Sequence, residues 1–262
     1  MKIIESHFIE LSPKGAINLN INLNLLIIQD STFLGCNNSE SGGAIRITSE
    51  DSEHILNRLC AKSCRTLLSG SNLDWGQFLF VKSPTGITRQ ESLSVSMCTD
   101  RLMSTLHNSP ITNAGNAQHR CAHSNVSDCY AQLGCGFGGL ETGDAELSYM
   151  NFANDTTCNG NYDYVGYWIA VVFHQGTGKV SWANFVECRS ERSAAGSPPG
   201  AFVECAFVRC RNYNSGFTGG HVSEPMGFSF PPGCAALRGG SNGRRLFRTS
   251  FLEALSALIA TR

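Results

Sequence analysis

Residues 31–47 read STFLGCNNSESGGAIRI, and two short patterns within them decide the fold. The first pattern places the aromatic Phe33 three positions before Cys36. The same frame, an aromatic or β-branched residue three positions before a cysteine, returns further along the chain. Its other occurrences are Val126 with Cys129, Phe185 with Cys188, Phe202 with Cys205 and Phe207 with Cys210. A frame that recurs in this way is typical of a repeat protein rather than of isolated thiols.

One cysteine from each cluster also recurs at a nearly constant interval. The intervals are 28, 34, 31, 29 and 30 residues for Cys36, Cys64, Cys98, Cys129, Cys158 and Cys188 in order. A period of roughly 20 to 50 residues indicates a solenoid, propeller or array, in which each unit buries its apolar face by stacking on its neighbours. We interpret these six cysteines as equivalent positions of structural repeats. We expect most cysteines to be buried thiols, because unpaired cysteine packs as a small apolar residue; disulfides are the alternative.

The stretch before the quoted segment alternates strictly between apolar and amide side chains. In residues 16–28, AINLNINLNLLII, the apolar residues from Ile17 to Leu25 alternate with asparagines. A period of two residues predicts one half-buried strand and contradicts a helix.

Shorter strand-like runs follow, and glycine-containing turns separate them. They are GGAIRIT, GQFLFVK, SLSVSMC, ELSYMNF, YWIAVVF and KVSWANFVEC. No helical stripe of ten or more residues appears between residues 30 and 190. The sequence therefore predicts an all-β fold. A right-handed, pectin-lyase-like parallel β-helix fits this pattern of short strands best, because each coil adds short strands to stacked sheets with a rise of about 4.8 Å. A β-sandwich is the main alternative, but it would not explain the cysteine interval.

Composition divides the chain into two parts. Residues 1–211 carry the repeats and form the predicted β-helix. Residues 212–262 begin with a stretch rich in glycine and proline, which predicts an irregular cap. The apolar residues from Phe247 to Ile259 then follow a near-helical spacing. They predict a short terminal helix that covers an open solenoid end; a membrane-surface or partner helix is the alternative.

Charge and composition exclude several functions. Charged residues make up 16% of the chain and the net charge is -1. The chain therefore has no general electrostatic attraction to nucleic-acid phosphates or anionic lipid. No signal peptide is visible, and no run reaches the ~18 apolar residues of a membrane span. We predict no nucleic-acid partner, and membrane association only through an anchor outside this chain or through the C-terminal helix.

The second pattern of the quoted segment is the tetrapeptide from Gly42 to Ile45, Gly-Gly-Ala-Ile. Gly42 and Gly43 would let a tight turn approach the neighbouring coil, before an inward-facing strand begins. With the nearby Phe-x-x-Cys, it resembles the repeats of polymorphic membrane proteins, whose units carry Gly-Gly-Ala-Ile and Phe-x-x-Asn. Cysteine in place of asparagine is more similar to the large, cysteine-containing β-helix surface proteins of protozoan parasites. The resemblance covers about residues 25 to 210.

This resemblance implies a binding function without a catalytic site. Members of such families are surface-exposed binding or adhesion scaffolds. The resemblance therefore implies a location outside the cell or at its surface, a host-cell or glycan ligand, and no cofactor. The cytoplasm is the alternative location. Trp75, Tyr162 and Tyr164 are the candidate contact residues, because exposed aromatic residues often anchor interfaces; core packing is the alternative for them.

The strongest cluster of metal-ligating residues is the pentapeptide HRCAH. His119, Cys121 and His123 would project from one face of a strand, and Cys129 and Cys135 lie close downstream. Histidine and cysteine are suitable zinc ligands. The spacing matches no established zinc module, so chance is the preferred explanation and no metal is predicted.

A polysaccharide lyase or hydrolase is the alternative function, because such enzymes also use β-helices. Glycoside hydrolases need paired carboxylates at a defined separation. Residues 72–74 and 161–163 have the Asn-x-Asp form that polygalacturonases use, but no Asp-Asp pair or Gly-His-Gly follows. The enzyme hypothesis predicts at least two acidic side chains within several ångströms of each other on one sheet.

Overall fold

The computed structural model describes residues 1–67, 76–98, 109–115, 118–131, 136–140, 144–157, 171–174, 178–188, 201–208, 210 and 219–222. These residues form 26 strands, β1 to β26, and contain no helix. Each pair of neighbouring strands among them is parallel. The predicted all-β class is therefore confirmed for the described part of the chain.

Most strands belong to three parallel stacks. Stack A contains Lys2–Ile4 (β1), Leu25–Gln29 (β4), Glu53–Asn57 (β8), Ile87–Glu91 (β12), Gln118–Ala122 (β15), Asp144–Ser148 (β19) and Gly178–Ser181 (β23). Stack B contains His7–Ile9 (β2), Thr32–Leu34 (β5), Cys60–Lys62 (β9), Ser94–Ser96 (β13), Asn125–Ser127 (β16), Asn151–Ala153 (β20) and Asn184–Val186 (β24). Stack C contains Ile17–Asn20 (β3), Ile45–Thr48 (β7), Leu79–Lys82 (β11), Ile111–Ala114 (β14), Phe137–Leu140 (β18) and Val171–His174 (β22).

The remaining strands complete these stacks. Ala201–Val208 (β25) pairs with both β23 and β24, so that stacks A and B join into one 16-stranded sheet. Gly219–Val222 (β26) pairs with β25. Two short pairs lie apart: Asn37–Asn38 (β6) with Arg65–Thr66 (β10), and Tyr130–Ala131 (β17) with Thr156–Thr157 (β21).

Each strand pairs with the strand that follows one repeat later in the chain. Phe33 is opposite Ala61 in stack B, and Ile45 is opposite Leu79 in stack C. We use the word rung for one successive set of A, B and C strands. Successive rungs stacked in this register are consistent with a parallel β-solenoid, and antiparallel hairpins are absent from the described residues.

Apolar side chains from successive rungs fill the interior. Leu26, Ile28 and Phe33 are fully buried. Phe152 and Phe185 occupy the same position in adjacent rungs, and their rings stack with centroids 5.1 Å apart. In-register stacking thus brings like side chains together, and offset aromatic pairs of this kind stabilise a fold beyond their buried area.

Two sharp bends flank each strand of stack B, and both are made by residues in the left-handed conformation. The first bend falls at Glu5, Asp30, Arg58, Ser92, His123, Tyr149, Trp182 and Glu204. The second falls five positions later, at Glu10, Gly35, Ser63, Met97, Asp128, Asn154 and Glu187. Their φ angles lie between 50° and 61°. Positive φ is uncommon outside glycine, so the stacked neighbours must hold these bends; the Asp30 amide, for example, bonds the carbonyl of Asn57 in the next rung.

From the second rung on, the residue after the second bend points inward and forms the cysteine column. Its members are Cys36, Cys64, Cys98, Cys129, Asp155, Cys188 and Cys210. The cysteine interval of the sequence placed Cys158 in this series. Val126 pairs with Phe152, which places Asp155 at the position that Cys129 holds one rung earlier. Cys158 itself lies outside the described residues.

The predicted strand of residues 16–28 is two strands. Its alternation holds from Ile17 to Asn20 in β3, but a turn follows and shifts the phase before β4 begins. Ile21 and Leu25 are consequently 48% and 36% exposed, whereas Leu26 is buried. A shift of one residue reverses which side chains face the core.

The paired glycines of the quoted segment make a close contact between rungs. The Gly43 amide donates to the carbonyl of Gly76, and a Cβ atom on Gly43 would lie only 2.1 Å from the carbonyl oxygen of Gln77. Gly42 has a φ of +78°. Both positions therefore require glycine, one for space and the other also for its backbone conformation.

The predicted division at residue 211 stays a prediction. Strand β26 lies beyond that boundary and still pairs in parallel with β25. The predicted cap and terminal helix otherwise lie outside the described residues.

Candidate functional site

From the second rung on, the first bend of each rung places its side chain on one outer edge of the stack. We call these residues the corner column: Asp30, Arg58, Ser92, His123, Tyr149, Trp182 and Glu204. The stacks on both sides of the bend are in register, so neighbouring members lie about 4.8 Å apart along the stack. The corner column is a continuous row of polar and aromatic side chains that no sequence pattern had singled out.

An ion pair forms one end of the corner column. The guanidinium of Arg58 donates from Nε and Nη2 to the two carboxylate oxygens of Asp30, at 2.5 and 2.6 Å. This hydrogen bonding from Arg58 lowers the pKa of Asp30. Both side chains are partly exposed, so the pair adds little to stability.

Three stacked rings form the other end. The ring centroids of His123 and Tyr149 are 4.9 Å apart, and those of Tyr149 and Trp182 are 5.1 Å apart. The interplanar angles are 4° and 13°. The indole Nε1 of Trp182 donates to the carboxylate of Glu204. The backbone holds these partly exposed rings in a fixed row, because each ring begins at a bend of the same geometry.

Charged side chains cover the outer face of stack A beside the corner column. We call this set the charged face: Glu53, Arg89, Arg120, Asp144, Glu146 and Lys179. Arg89 pairs with Glu53 at 3.4 Å. Arg120 pairs with Asp144 at 3.0 Å and with Glu146 at 3.3 Å. Exposed pairs contribute at most about 1 kcal/mol each, so these ion pairs add little to stability.

Two buried histidines lie inside the stack. The ring of His54 shares hydrogen bonds with Ser49 Oγ at 3.1 Å and Thr88 Oγ1 at 3.2 Å. His119 lies one rung beyond Thr88, and neither of its ring nitrogens has a side-chain hydrogen-bond partner among the described residues. Desolvation lowers the pKa of both histidines to about 4. Both are neutral near pH 7 and act as interior packing residues.

The described cysteines are mostly buried thiols, in agreement with the prediction. Eight of these nine residues are outside disulfides. Cys60 is disulfide-bonded, and its partner lies outside the described residues. The neighbouring thiol of Cys64 and burial together raise the pKa of Cys36, and burial raises the pKa of Cys121 to about 12. Thiols with raised pKa values are poor nucleophiles, so these side chains are structural.

The structure separates the residues of the HRCAH cluster. His119 and Cys121 point inward and are buried. His123 lies in the corner column, where the bend turns it outward against Tyr149. Cys129 belongs to the cysteine column, and Cys135 lies outside the described residues. Within the described part of the chain, no three histidine, cysteine or acidic side chains converge to hold a metal ion.

The predicted contact aromatics Trp75, Tyr162 and Tyr164 lie outside the described residues. The partly exposed aromatic row that the structure describes consists of His123, Tyr149 and Trp182 instead. A repeated sequence signal marks it. The row appears as HSNV, YMNF and WANF, with the aromatic ring two positions before an asparagine.

Comparison with known proteins gives no family assignment. No family model matches the chain, and no curated protein or solved structure matches it either. In the described part of the chain, no helix has the length and apolar character needed to cross a membrane.

Proposed function

We propose that the chain is a noncatalytic binding scaffold, built as a right-handed parallel β-helix of the pectin-lyase-like kind. The stacked parallel rungs and the repeated bends support this architecture. The resemblance of Gly-Gly-Ala-Ile and Phe-x-x-Cys to polymorphic membrane proteins, and to cysteine-containing protozoan surface proteins, supports the function. The scaffold belongs to a surface or secreted protein and serves adhesion or ligand binding.

The observation that carries this proposal is the aromatic row of the corner column. Tyr149 and Trp182 are partly exposed, aligned by the backbone and fixed by stacking. Tyrosine and tryptophan are enriched among the residues that dominate binding energy. Rings already held in place lose little conformational entropy on binding, so a ligand gains more from each contact.

A glycan is the ligand class that the surroundings of the row favour. Carboxylates and guanidinium groups of the charged face lie on the strands next to the row, and they offer hydrogen-bond acceptors and donors to hydroxyl groups. Both charge signs are interspersed there, which disfavours a polyanion such as nucleic acid.

Binding to an array of neutral and acidic oligosaccharides tests the proposal. We expect wild-type protein to bind one glycan class, and the double variant Tyr149→Ala/Trp182→Ala to bind at least about 30-fold more weakly, as for the loss of a residue worth ~2 kcal/mol. Met97→Ala is the matched control, because Met97 is an exposed residue at the second bend. Unchanged binding by the double variant, or no glycan bound by the wild type, contradicts the proposal.

We place the protein outside the cell or at its surface on the strength of the resemblance, with the cytoplasm as the alternative. Surface protease treatment of intact source cells distinguishes the two. Digestion in intact cells supports the external location, and protection until lysis supports the cytoplasm.

A glycan-cleaving enzyme is the second candidate, and one observation favours it. Asp144 and Glu146 both contact the guanidinium of Arg120, so two carboxylates lie close together on one sheet. Paired carboxylates are the groups that glycoside hydrolases use. Release of reducing ends from polysaccharides by the wild type, and its loss in Glu146→Gln, would establish the enzyme and exclude the noncatalytic proposal.

A further inference from the structure

We infer that Asn154 carries an N-linked glycan in the folded protein, and that the other two acceptor motifs of the chain, at Asn37 and Asn125, do not. The acceptor motif is Asn-x-Ser or Asn-x-Thr, in which x is any residue except proline. The sequence contains it at residues 37–39, 125–127 and 154–156. The inference rests on the proposed location outside the cell or at its surface, because this modification takes place in the secretory pathway.

The modification transfers an oligosaccharide from a lipid pyrophosphate carrier to a side-chain amide. A bond forms between Nδ2 of the asparagine and the anomeric carbon of the first sugar, while the bond from that carbon to the pyrophosphate oxygen breaks. The amide loses one of its two protons, and the lipid pyrophosphate leaves with the electron pair of the broken bond. An N-linked glycan is bulky and solvated, so the fold tolerates it only where Nδ2 can face water.

Asn154 meets this condition. It lies at the second bend of its rung, with a φ angle of 53°, and it is exposed. Its Nδ2 donates a 2.8 Å hydrogen bond to Oδ1 of Asp128, at the same bend of the preceding rung. The amide nitrogen carries two hydrogens, so a sugar can replace one while the other keeps this bond. The backbone amide of Asn154 bonds to the carbonyl of Val186, which fixes the point where the glycan begins.

Asn125 belongs to a ladder of asparagine amides that leaves no space for a sugar. Nδ2 of Asn151 donates to Oδ1 of Asn125 at 2.9 Å, and Nδ2 of Asn184 donates to Oδ1 of Asn151 at 2.8 Å. Each amide nitrogen thus faces the preceding rung. For Asn125 the residue in register there is Ser94, which is 6% exposed. Rungs lie about 4.8 Å apart, so a sugar on this nitrogen would collide with the preceding rung.

The side-chain amide of Asn37 is covered as well. Its Oδ1 is inaccessible to solvent and has no hydrogen-bond partner among the described residues. Nδ2 is bonded to the same carbon atom, so a sugar attached to it would begin against the wall of the rung. The backbone of Asn37 bonds to Leu11 and Gly15 and pairs with Arg65. These contacts hold the residue in the wall with its amide covered.

A glycan at Asn154 leaves the aromatic row open. Tyr149 and Asn154 lie at the first and second bends of one rung, on either side of the three-residue strand β20. At about 3.3 Å per residue, this strand separates the two bends by roughly 10 Å. The glycan therefore occupies the second edge of stack B, while the first edge remains accessible to a ligand.

Peptide mapping of protein purified from its source cells tests the inference. Peptide N-glycosidase in heavy-oxygen water converts each glycan-bearing asparagine into a mass-labelled aspartate. We expect the label at position 154 and at neither position 37 nor position 125. A label at either of these two positions, or no label at Asn154, overturns the inference.

Variants of the full chain, secreted from eukaryotic cells behind an added signal peptide, identify the acceptor independently. Thr156→Ala removes the acceptor motif without changing Asn154, and we expect it to lose the mass of one glycan. Thr156→Ser retains the motif and should keep the glycan. Ser127→Ala and Ser39→Ala are the matched controls, and they should leave the glycan mass unchanged. Each secreted variant is shown to keep the wild-type circular dichroism. Loss of glycan mass in either control, or its retention in Thr156→Ala, contradicts the assignment.

The outcomes also separate this inference from the proposed function. Protein that surface protease digests on intact source cells, but that carries no glycan, overturns the inference alone. Protein that stays protected until lysis and carries no glycan overturns the external location together with the inference. Loss of glycan binding in Tyr149→Ala/Trp182→Ala with the label still present at position 154 supports both.

Discussion

The backbone amide of Cys129 donates a 2.9 Å hydrogen bond to Oδ1 of Asp155, one rung further along the cysteine column. Asp155 is fully buried, and its second oxygen, Oδ2, has no hydrogen-bond partner among the described residues. Desolvation is the main reason that the pKa of Asp155 is raised well above its ordinary value of 3.8. A carboxyl group thus occupies a position that thiols hold in the neighbouring rungs, where burial favours its neutral form.

Asp155 should make the fold less stable as the pH rises. Above about pH 4 the unfolded chain releases the proton that the folded chain retains, so the free energy of unfolding falls by up to about 1.4 kcal/mol per pH unit until the folded pKa is passed. We expect Asp155→Asn and Asp155→Cys to abolish this fall. Urea denaturation at several pH values between 5 and 8 measures it, and parallel pH profiles for wild type and both variants would contradict the assignment.

The buried histidines should have the opposite effect on the acid side. Their folded pKa values of about 4 lie below the ordinary value of 6.5. Between these values the unfolded chain binds more protons, so stability falls as the pH drops from 6.5 to 4, by up to about 1.4 kcal/mol per pH unit for each histidine.

The variants His119→Leu and His54→Leu separate the two histidines. Each should remove one histidine's share of the acid sensitivity. At pH 7, His119→Leu should cost little, because His119 has no side-chain hydrogen-bond partner among the described residues. His54→Leu leaves the hydroxyls of Ser49 and Thr88 without this partner and should cost about 1 to 3 kcal/mol. Equal costs at pH 7 would show that the hydrogen bonds of His54 do not matter.

Gly43→Ala should destabilise the fold severely. Its Cβ atom would meet backbone atoms of Gln77 and Arg65 at 2.1 and 2.5 Å, and backbone cannot move aside cheaply. We expect a loss of about 3 kcal/mol or more. Gly35→Ala is the control: its Cβ atom has space, and serine, methionine and aspartate occupy the same bend in other rungs. It should cost about 1 kcal/mol for the positive φ alone. Thermal and urea unfolding give both values, and equal losses would refute the steric explanation.

The cysteine column should be protected from alkylation in the folded protein. Cys36, Cys64 and Cys98 are fully buried. Thiolates, not thiols, react with iodoacetamide. Peptide-level mass spectrometry should therefore find these three residues unmodified in native buffer and modified in concentrated urea. Rapid labelling of all three before unfolding would contradict their position in the core.

The sequence predicted the repeat better than it predicted the strands. The frame of an aromatic or β-branched residue three positions before a cysteine marks the second bend and the inward residue after it at Cys36, Cys129 and Cys188, whereas at Cys205 it surrounds the first bend at Glu204. The runs ELSYMNF and KVSWANFVEC look continuous, yet each is split by a bend at Tyr149 or Trp182. Aromatic residues have no preference for positive φ. Stacking imposes the bend, so local sequence does not reveal it.

Two other outcomes follow from position rather than composition. Cys158 has the expected interval and lies outside the described residues, whereas the register of β20 puts Asp155 one rung after Cys129. His119 and His123 are four residues apart and look equivalent on an extended strand. The bend at His123 turns that ring outward while His119 remains inside. Spacing along the chain predicts a shared face only where no bend intervenes.

The distance between the two bends is the same in every rung where both are described, although rungs differ in length. The first and second bends are five positions apart from Glu5 and Glu10 through to Trp182 and Glu187. All variation in length therefore lies in the segments that connect the second bend to the next first bend. Insertions can lengthen those connections, and foreign peptides can be grafted into them. The side chains along the edge that carries Tyr149 and Trp182 should keep their fixed spacing in either case.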